Sequence, residues 1–176
     1  MNQKWTSSLR SDINNFPSLN LLNPYGCRIG QIHPVWQNLN CPLDIEKATV
    51  KAQLLIGRYP LSSCRTSGYN RSVLCPLCQE EEETATHFLL NCPALEKQRS
   101  TYIQRIITIT GRLTELEFTK VLLDSTYIDP PNRDKLESLT RNMIFKLAYK
   151  RGILMGGPSI YVSRKHRREK GNLKTI

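Results

Sequence analysis

The chain has 176 residues and a formal net charge of +10 at pH 7. Hydrophobic residues make up 39% of it, below the usual share for a globular domain, so we expect one core with less ordered ends. No stretch approaches 18 consecutive apolar residues, so no membrane-spanning helix is predicted. The excess of basic residues favours a polyanionic partner such as nucleic acid.

The N-terminal sequence MNQKWTSSLRSDINNF lacks the apolar stretch of a secretory signal. Six cysteines without such a signal indicate a reducing compartment, where thiols are free or bound to metal. We therefore expect an intracellular protein, in the nucleus or the cytoplasm.

In chain order, residues 1–42 are rich in Asn, Ser and Pro without helical or strand periodicity, so an irregular segment is predicted. Residues 43–111 are predicted to form a helical zinc-binding domain. Its first helix would run from Asp44, as N-cap, to about Arg58. Its second would run from Pro93 to about Thr110 and end at Gly111.

The sequence of residues 112–158 predicts a helical hairpin that packs on that domain. A short helix covers TELEFTKVLL, and a long one runs from about Asn132 to Leu154, where leucines recur every three, four or seven residues. Residues 159–176 are predicted to be a basic tail, with a weak strand signal in SIYVS. The predicted fold class is mainly α, organised around a Cys3His structural zinc site.

That site is predicted from the spacing Cys75-x2-Cys78-x8-His87-x4-Cys92. Two cysteines separated by two residues can direct both sulfurs at one ion, and the following loop returns the chain to His87 and Cys92. Four nitrogen and sulfur ligands are typical of the closed tetrahedral site of a structural Zn²⁺. We expect one such ion and no small-molecule substrate.

The residues around the ligands support this interpretation. Thr84 or Thr86 is predicted to cap a short helix over THFLL. Ligands five residues apart point about 140° apart on an unbroken helix, so we expect Pro93 to let the chain turn at Cys92. The four glutamates at 80–83 are predicted to form a solvated loop.

Two alternatives to zinc stay open. The four residues can be unrelated members of a buried helical hairpin, since free cysteines often pack as small hydrophobes. A redox Cys-x2-Cys pair is the other alternative, although its usual βαβ context is missing. A second metal site would have to use Cys27, His33, Cys41 and Cys64, whose gaps fit no compact pattern.

The stretch from about residue 48 to residue 99 resembles the zinc-binding segment of non-LTR retrotransposon reverse transcriptases. The resemblance rests on LLIGRYPL, CPLC and ETATHFLLNCPALEKQR. It implies that Cys75, Cys78, His87 and Cys92 are the zinc ligands, and that the segment engages nucleic acid during target-primed reverse transcription. The paired aspartates of the polymerase are absent from the chain, so the resemblance does not carry catalysis and we expect no enzyme.

The sequence thus favours a non-catalytic, zinc-stabilised module that binds RNA or single-stranded DNA. Basic residues predicted to contact phosphates are Lys47, Lys51, Arg58, Arg65, Arg71, Arg164, Lys165, Arg167, Arg168 and Lys170. The alternative is a protein-interaction or purely structural module, because three thiolates binding Zn²⁺ make the already acidic cluster more negative. A non-functional retroelement fragment is a further alternative.

Overall fold

The computed structural model describes residues 2–28, 30–64 and 72–156. Within these residues it is mainly helical, which confirms the predicted fold class. The α-helices are α1 (Asn2–Asn15), α2 (Pro42–Leu55), α3 (Glu96–Thr110), α4 (Glu115–Leu123) and α5 (Pro130–Leu154). No strand occurs in the described ranges, where Leu74 and Glu82 form an isolated antiparallel bridge. No helix there is long and apolar enough to cross a membrane.

Helix α1 corrects the prediction that residues 1–42 are irregular. It covers Asn2–Asn15 despite the weak helix formers in this stretch. Its Ile13 side chain is buried, and the Arg10 guanidinium lies 5.0 Å from the centre of the Tyr25 ring. Tertiary contacts therefore supplement a weak local preference. Short 3₁₀ turns at Pro17–Leu19 and Pro34–Trp36 interrupt the rest of the segment.

Helix α2 begins two residues before the predicted N-cap. Pro42 occupies the first turn, where its missing N–H is not needed, and Cys41 is the N-cap. Asp44 lies inside the first turn and accepts a hydrogen bond from the Asn40 backbone N–H at 3.2 Å. The helix ends at Leu55, three residues earlier than predicted.

The later helices begin and end close to the predicted positions. A 3₁₀ turn at Pro93–Leu95 leads into α3, which ends at Gly111 with φ 73°. Helix α4 opens with a capping box. The Thr114 Oγ1 accepts from the Glu117 N–H, and the Glu117 carboxylate accepts from the Thr114 N–H at 3.0 Å. The strand signal SIYVS lies outside the described residues.

Helix α5 packs along both α2 and α3 and so forms the centre of the molecule. One buried cluster takes side chains from the predicted zinc domain and from the predicted hairpin. Its fully buried large members include Leu61, Phe88, Leu89, Leu95, Ile106, Leu122, Leu123, Leu136, Met143, Ile144 and Leu147. Residues 43–111 and 112–156 therefore share one core where the structure describes them.

A buried carboxylate attaches the N-terminal segment to this core. Asp124, at the end of α4, accepts hydrogen bonds from the backbone N–H groups of Asn23 (2.8 Å) and Thr126 (2.9 Å). Its Oδ1 also lies 3.2 Å from Nε2 of His33. Burial by itself raises the pKa of Asp124, but these partners outweigh burial and hold the pKa below its ordinary value.

Candidate metal centre

The first half of the centre is a tight turn at Cys75-Pro-Leu-Cys78. The Gln79 N–H closes the turn by donating to the Cys75 carbonyl at 2.8 Å. Gln79 itself has a left-handed φ of 60°. Burial raises the pKa of the Cys78 thiol, but backbone N–H groups of Glu80 and Glu81 outweigh it and lower that pKa. The turn thus favours a thiolate at Cys78.

The loop that follows returns the chain through short backbone pairing. The Cys75 N–H donates to the Glu81 carbonyl at 2.7 Å, and the Glu83 N–H donates to the Val73 carbonyl at 3.0 Å. These bonds flank the bridge between Leu74 and Glu82. The return brings the next helical turn back beside the two cysteines.

His87 and Cys92 lie at the two ends of a π-helical turn over His87–Asn91. The sequence predicted a short helix over THFLL but not its π form. The Cys92 N–H donates to the His87 carbonyl at 2.8 Å, the i→i+5 bond of a π-turn. One wide turn therefore places ligands five residues apart on the same side. Thr84, one of the two predicted caps, accepts from the His87 N–H at 3.1 Å. Cys92 has extended ψ of 115° before Pro93, as the predicted turn there requires.

The four predicted ligands meet at one point. Their ligand atoms all lie within 4.8 Å of one another, with Cys75, His87 and Cys92 buried and Cys78 half-buried. The Cys75 and Cys92 sulfurs are 3.8 Å apart, and the Cys78 sulfur lies 3.4 Å from Nε2 of His87. The residues therefore form a single candidate metal site of Cys3His composition.

Without a bound cation, Cys92 is held as a neutral thiol. Burial, together with the neighbouring Cys75 sulfur, raises the pKa of Cys92 to about 12. Two buried sulfurs at this distance cannot both be thiolates unless a positive charge lies between them. A metal ion held by all four residues would supply that charge.

Two further side chains hold the ligands in place, and the sequence reasoning missed both. The Glu81 carboxylate lies 2.9 Å from Nδ1 of His87, which orients the ring and leaves Nε2 directed at the sulfurs. The buried Arg99 donates through Nη2 to the Cys92 carbonyl at 2.6 Å. The only available signal for Glu81 was its position in the acidic loop, six residues before the histidine.

Glu83 corrects the prediction that the whole glutamate run is solvated. Glu80, Glu81 and Glu82 are exposed, but Glu83 is fully buried. Its carboxylate accepts from the Ser62 N–H at 2.7 Å and from two nitrogens of Arg151, at 2.6 and 2.9 Å. Burial raises its pKa, but Arg151 and Ser62 outweigh burial and lower it. Glu83 therefore connects the metal loop to the last turns of α5.

The remaining cysteines do not assemble a second site among the described side chains. Cys27 is half-buried and Cys41 is exposed, while the Cys64 side chain lies outside what the structure describes. His33 accepts from the Val35 N–H through Nδ1 at 3.3 Å and faces Asp124 through Nε2. Burial and the nearby Asp124 raise the pKa of Cys27, which disfavours its thiolate.

The basic residues predicted to contact nucleic acid differ in burial and in partners, and some lie outside the described residues. Lys51 is fully buried, and its Nζ lies 2.7 Å from both the Glu137 carboxylate and the Thr140 hydroxyl, so the prediction is wrong at this residue. Lys47 is half-buried and lies 3.3 Å from Asp44, whereas Arg58 is exposed. The other predicted contacts lie outside the described residues: Arg65, Arg71, Arg164, Lys165, Arg167, Arg168 and Lys170.

Comparison with known proteins gives no relative from which a role can be taken. No family model, no curated protein and no solved structure matches the chain. The assignment of a function therefore rests on the candidate metal site and on the surfaces of the molecule.

Proposed function

We propose that the chain is a zinc-stabilised, non-catalytic module that binds single-stranded nucleic acid and derives from a retrotransposon reverse transcriptase. The observation that carries the proposal is the spacing of the four ligand atoms. The charge of the chain and the resemblance of its ligand segment support the nucleic-acid partner.

Zinc is favoured by the Cys3His donor set, and two distances between the ligand atoms agree with it. With bonds of about 2.3 Å to sulfur and about 2.0 Å to nitrogen, a tetrahedral Zn²⁺ holds two sulfurs about 3.8 Å apart and a sulfur and a nitrogen about 3.5 Å apart. The corresponding distances are 3.8 Å for Cys75 and Cys92, and 3.4 Å for Cys78 and His87. Four protein ligands leave no position for a substrate, so the ion stabilises the fold rather than reacting.

A non-catalytic role agrees with the placement of the acidic groups. Nucleases and polymerases hold two metal ions with clustered carboxylates. In the part of the chain that the structure describes, only the Cys3His group brings three or more potential ligands together. The buried carboxylates Glu83, Asp124 and Glu137 instead pair with cationic side chains or backbone N–H groups.

The nucleic-acid partner is supported by the net charge of +10. The metal loop is a poor phosphate-binding surface, because Glu80, Glu81 and Glu82 are exposed beside the thiolates. Phosphate contacts therefore belong on other faces and in the tail that carries Arg164 to Lys170.

A protein-interaction module is the second candidate, and the N-terminal segment favours it. Several large apolar side chains there are exposed, and groups of this kind often contact protein partners. They are Trp5, Phe16, Tyr25, Ile32 and Trp36.

The test combines metal analysis with binding at several salt concentrations. We expect one zinc per chain and salt-sensitive binding of oligouridine by the full protein. Truncation after Val162 should reduce the slope of log K against log salt by about 2 to 3 units, since three or four tail charges would each contribute roughly 0.7. Absence of binding at low salt would overturn the nucleic-acid role and favour the protein-interaction candidate.

A further inference from the structure

One face of the molecule combines cations, an exposed aromatic ring and a groove. The groove has a volume of about 300 Å³ and lies between α3 and the exposed side of α5. Its lining residues are Gln98, Phe145, Lys146, Tyr149, Lys150 and Ile153. None of them is acidic, so the two lysines make the groove positive.

The aromatic ring and the lysines have the spacing of a single-strand site. Tyr149 is 42% exposed and Ile153 is 48% exposed, so both present apolar surface to solvent. Lys146 and Lys150 lie one helical turn apart, about 6 Å along the axis. Lys146 is held in place because its Nζ lies 5.0 Å from the centre of the Tyr102 ring. An exposed ring beside cations is the arrangement that binds stacked bases and their phosphates.

The α2 lysines that the sequence favoured fit this partner less well. Lys51 on α2 is buried, and Lys47 is paired with Asp44. The groove also lies near the end of α5, after which the chain carries its basic tail. Only seven residues lie between Gly156 and Arg164, so eight Cα–Cα steps span at most about 28 Å. One single-stranded nucleic acid can therefore contact both the groove and the basic residues that follow α5.

We propose that this groove is the base-stacking site for single-stranded nucleic acid, with Tyr149 stacking on a base and Lys146 and Lys150 contacting phosphates. The inference rests on the proposed function and assigns it a surface that the sequence did not suggest. The nucleic-acid class is favoured over an acidic protein because the groove combines lysines with an exposed ring, and because the sequence continues into a polybasic stretch.

The test uses the full-length, zinc-loaded protein and fluorescein-labelled oligouridine in anisotropy titrations. Tyr149→Ala should weaken binding about tenfold, whereas Tyr149→Phe, which keeps the ring, should stay near the wild type. The double variant K146Q/K150Q should reduce the salt slope by about 1.4 units. The matched control R112Q/K135Q removes the same charge from exposed positions outside the groove and should change the slope little. Circular dichroism and zinc content check that each variant folds.

The outcomes distinguish a wrong assignment of the groove from a wrong proposed function. If both groove variants bind like the wild type, or if R112Q/K135Q loses more binding than they do, the groove is overturned and the proposed function still stands. No wild-type binding would overturn the proposed function and the groove with it. Equally tight binding of polyglutamate, weakened by Tyr149→Ala, would overturn the inference by making the groove a site for acidic proteins.

Discussion

The carboxylate of Glu83 and the guanidinium of Arg151 form a buried ion pair that connects the metal loop to the end of α5. Two nitrogens of Arg151 donate to the two carboxylate oxygens at 2.6 and 2.9 Å, and both side chains are almost fully inaccessible. Arg151 also donates to the Pro60 carbonyl at 3.1 Å. The metal loop, the segment near residue 60 and the central helix therefore share one set of contacts.

Breaking this pair on one side should be costly. Arg151→Met leaves Glu83 buried without its cation, so we expect the free energy of unfolding to fall by about 3 to 5 kcal/mol. The double variant E83Q/R151M should regain part of this loss, since it leaves no uncompensated charge. Urea unfolding of the zinc-loaded proteins measures the cycle. Strictly additive losses would contradict the pairing.

Removal of a ligand should remove the metal. Cys78→Ala or His87→Ala should lose zinc and loosen the turn over His87–Asn91, because the buried ligands are then left without the ion. Metal analysis after dialysis measures the loss, and Cys41→Ala, an exposed cysteine outside the site, is the control. Undiminished zinc in Cys78→Ala would exclude this ligand set.

Glu81→Gln tests how the histidine is oriented. The carboxylate lies 2.9 Å from Nδ1 of His87, and loss of such an outer contact typically costs about 10- to 100-fold in metal affinity. Because Glu81 is 63% exposed, we expect the lower end of this range. Competition with a chelator gives the affinity, and Glu82→Gln in the same exposed loop serves as the control. Equal affinities of the two variants would show that Glu81 does not orient the ring.

The lowered pKa of Asp124 predicts that the stability of the protein depends on pH. Its pKa is lowered in the folded state, so the stability it contributes is present above the pKa of the unfolded chain and is lost as pH falls through the folded value. Asp124→Asn should therefore be less stable than the wild type near pH 7, and the difference should shrink below about pH 4. Urea unfolding of both proteins without metal measures the difference. A gap that stays constant down to about pH 3 would contradict the shift.

Lys51 should matter for stability and not for binding. Its Nζ bonds Glu137 and Thr140 in the core, where burial lowers the pKa of the lysine and the Glu137 carboxylate opposes that shift. Lys51→Gln should lower the melting temperature while leaving the affinity for oligouridine unchanged. As a control, Arg58→Gln changes an exposed residue and should leave the melting temperature unchanged. Weaker binding by folded Lys51→Gln would restore Lys51 as a contact.

The parts that were predicted correctly depend on neighbours in the sequence. The four ligands follow from their spacing, and the ends of α3 follow from Pro93 and Gly111. The burial of Lys51 depends on Glu137, 86 residues later, and the burial of Glu83 depends on Arg151. A single sequence gives no sign of which distant charges will pair. Helix α1 was missed for a related reason, because burial of Ile13 supplements weak local preferences.

The long separation between Glu83 and Arg151 also has a consequence for the order of events during synthesis. Arg151 follows Glu83 by 68 residues, which takes the ribosome roughly 3 to 14 seconds. All four metal ligands are translated well before that time. The nascent loop can therefore take up its ion while Glu83 still lacks its cation and must stay in water. We expect the newly made site to exchange metal freely until the end of α5 has emerged and its arginine has closed over the loop.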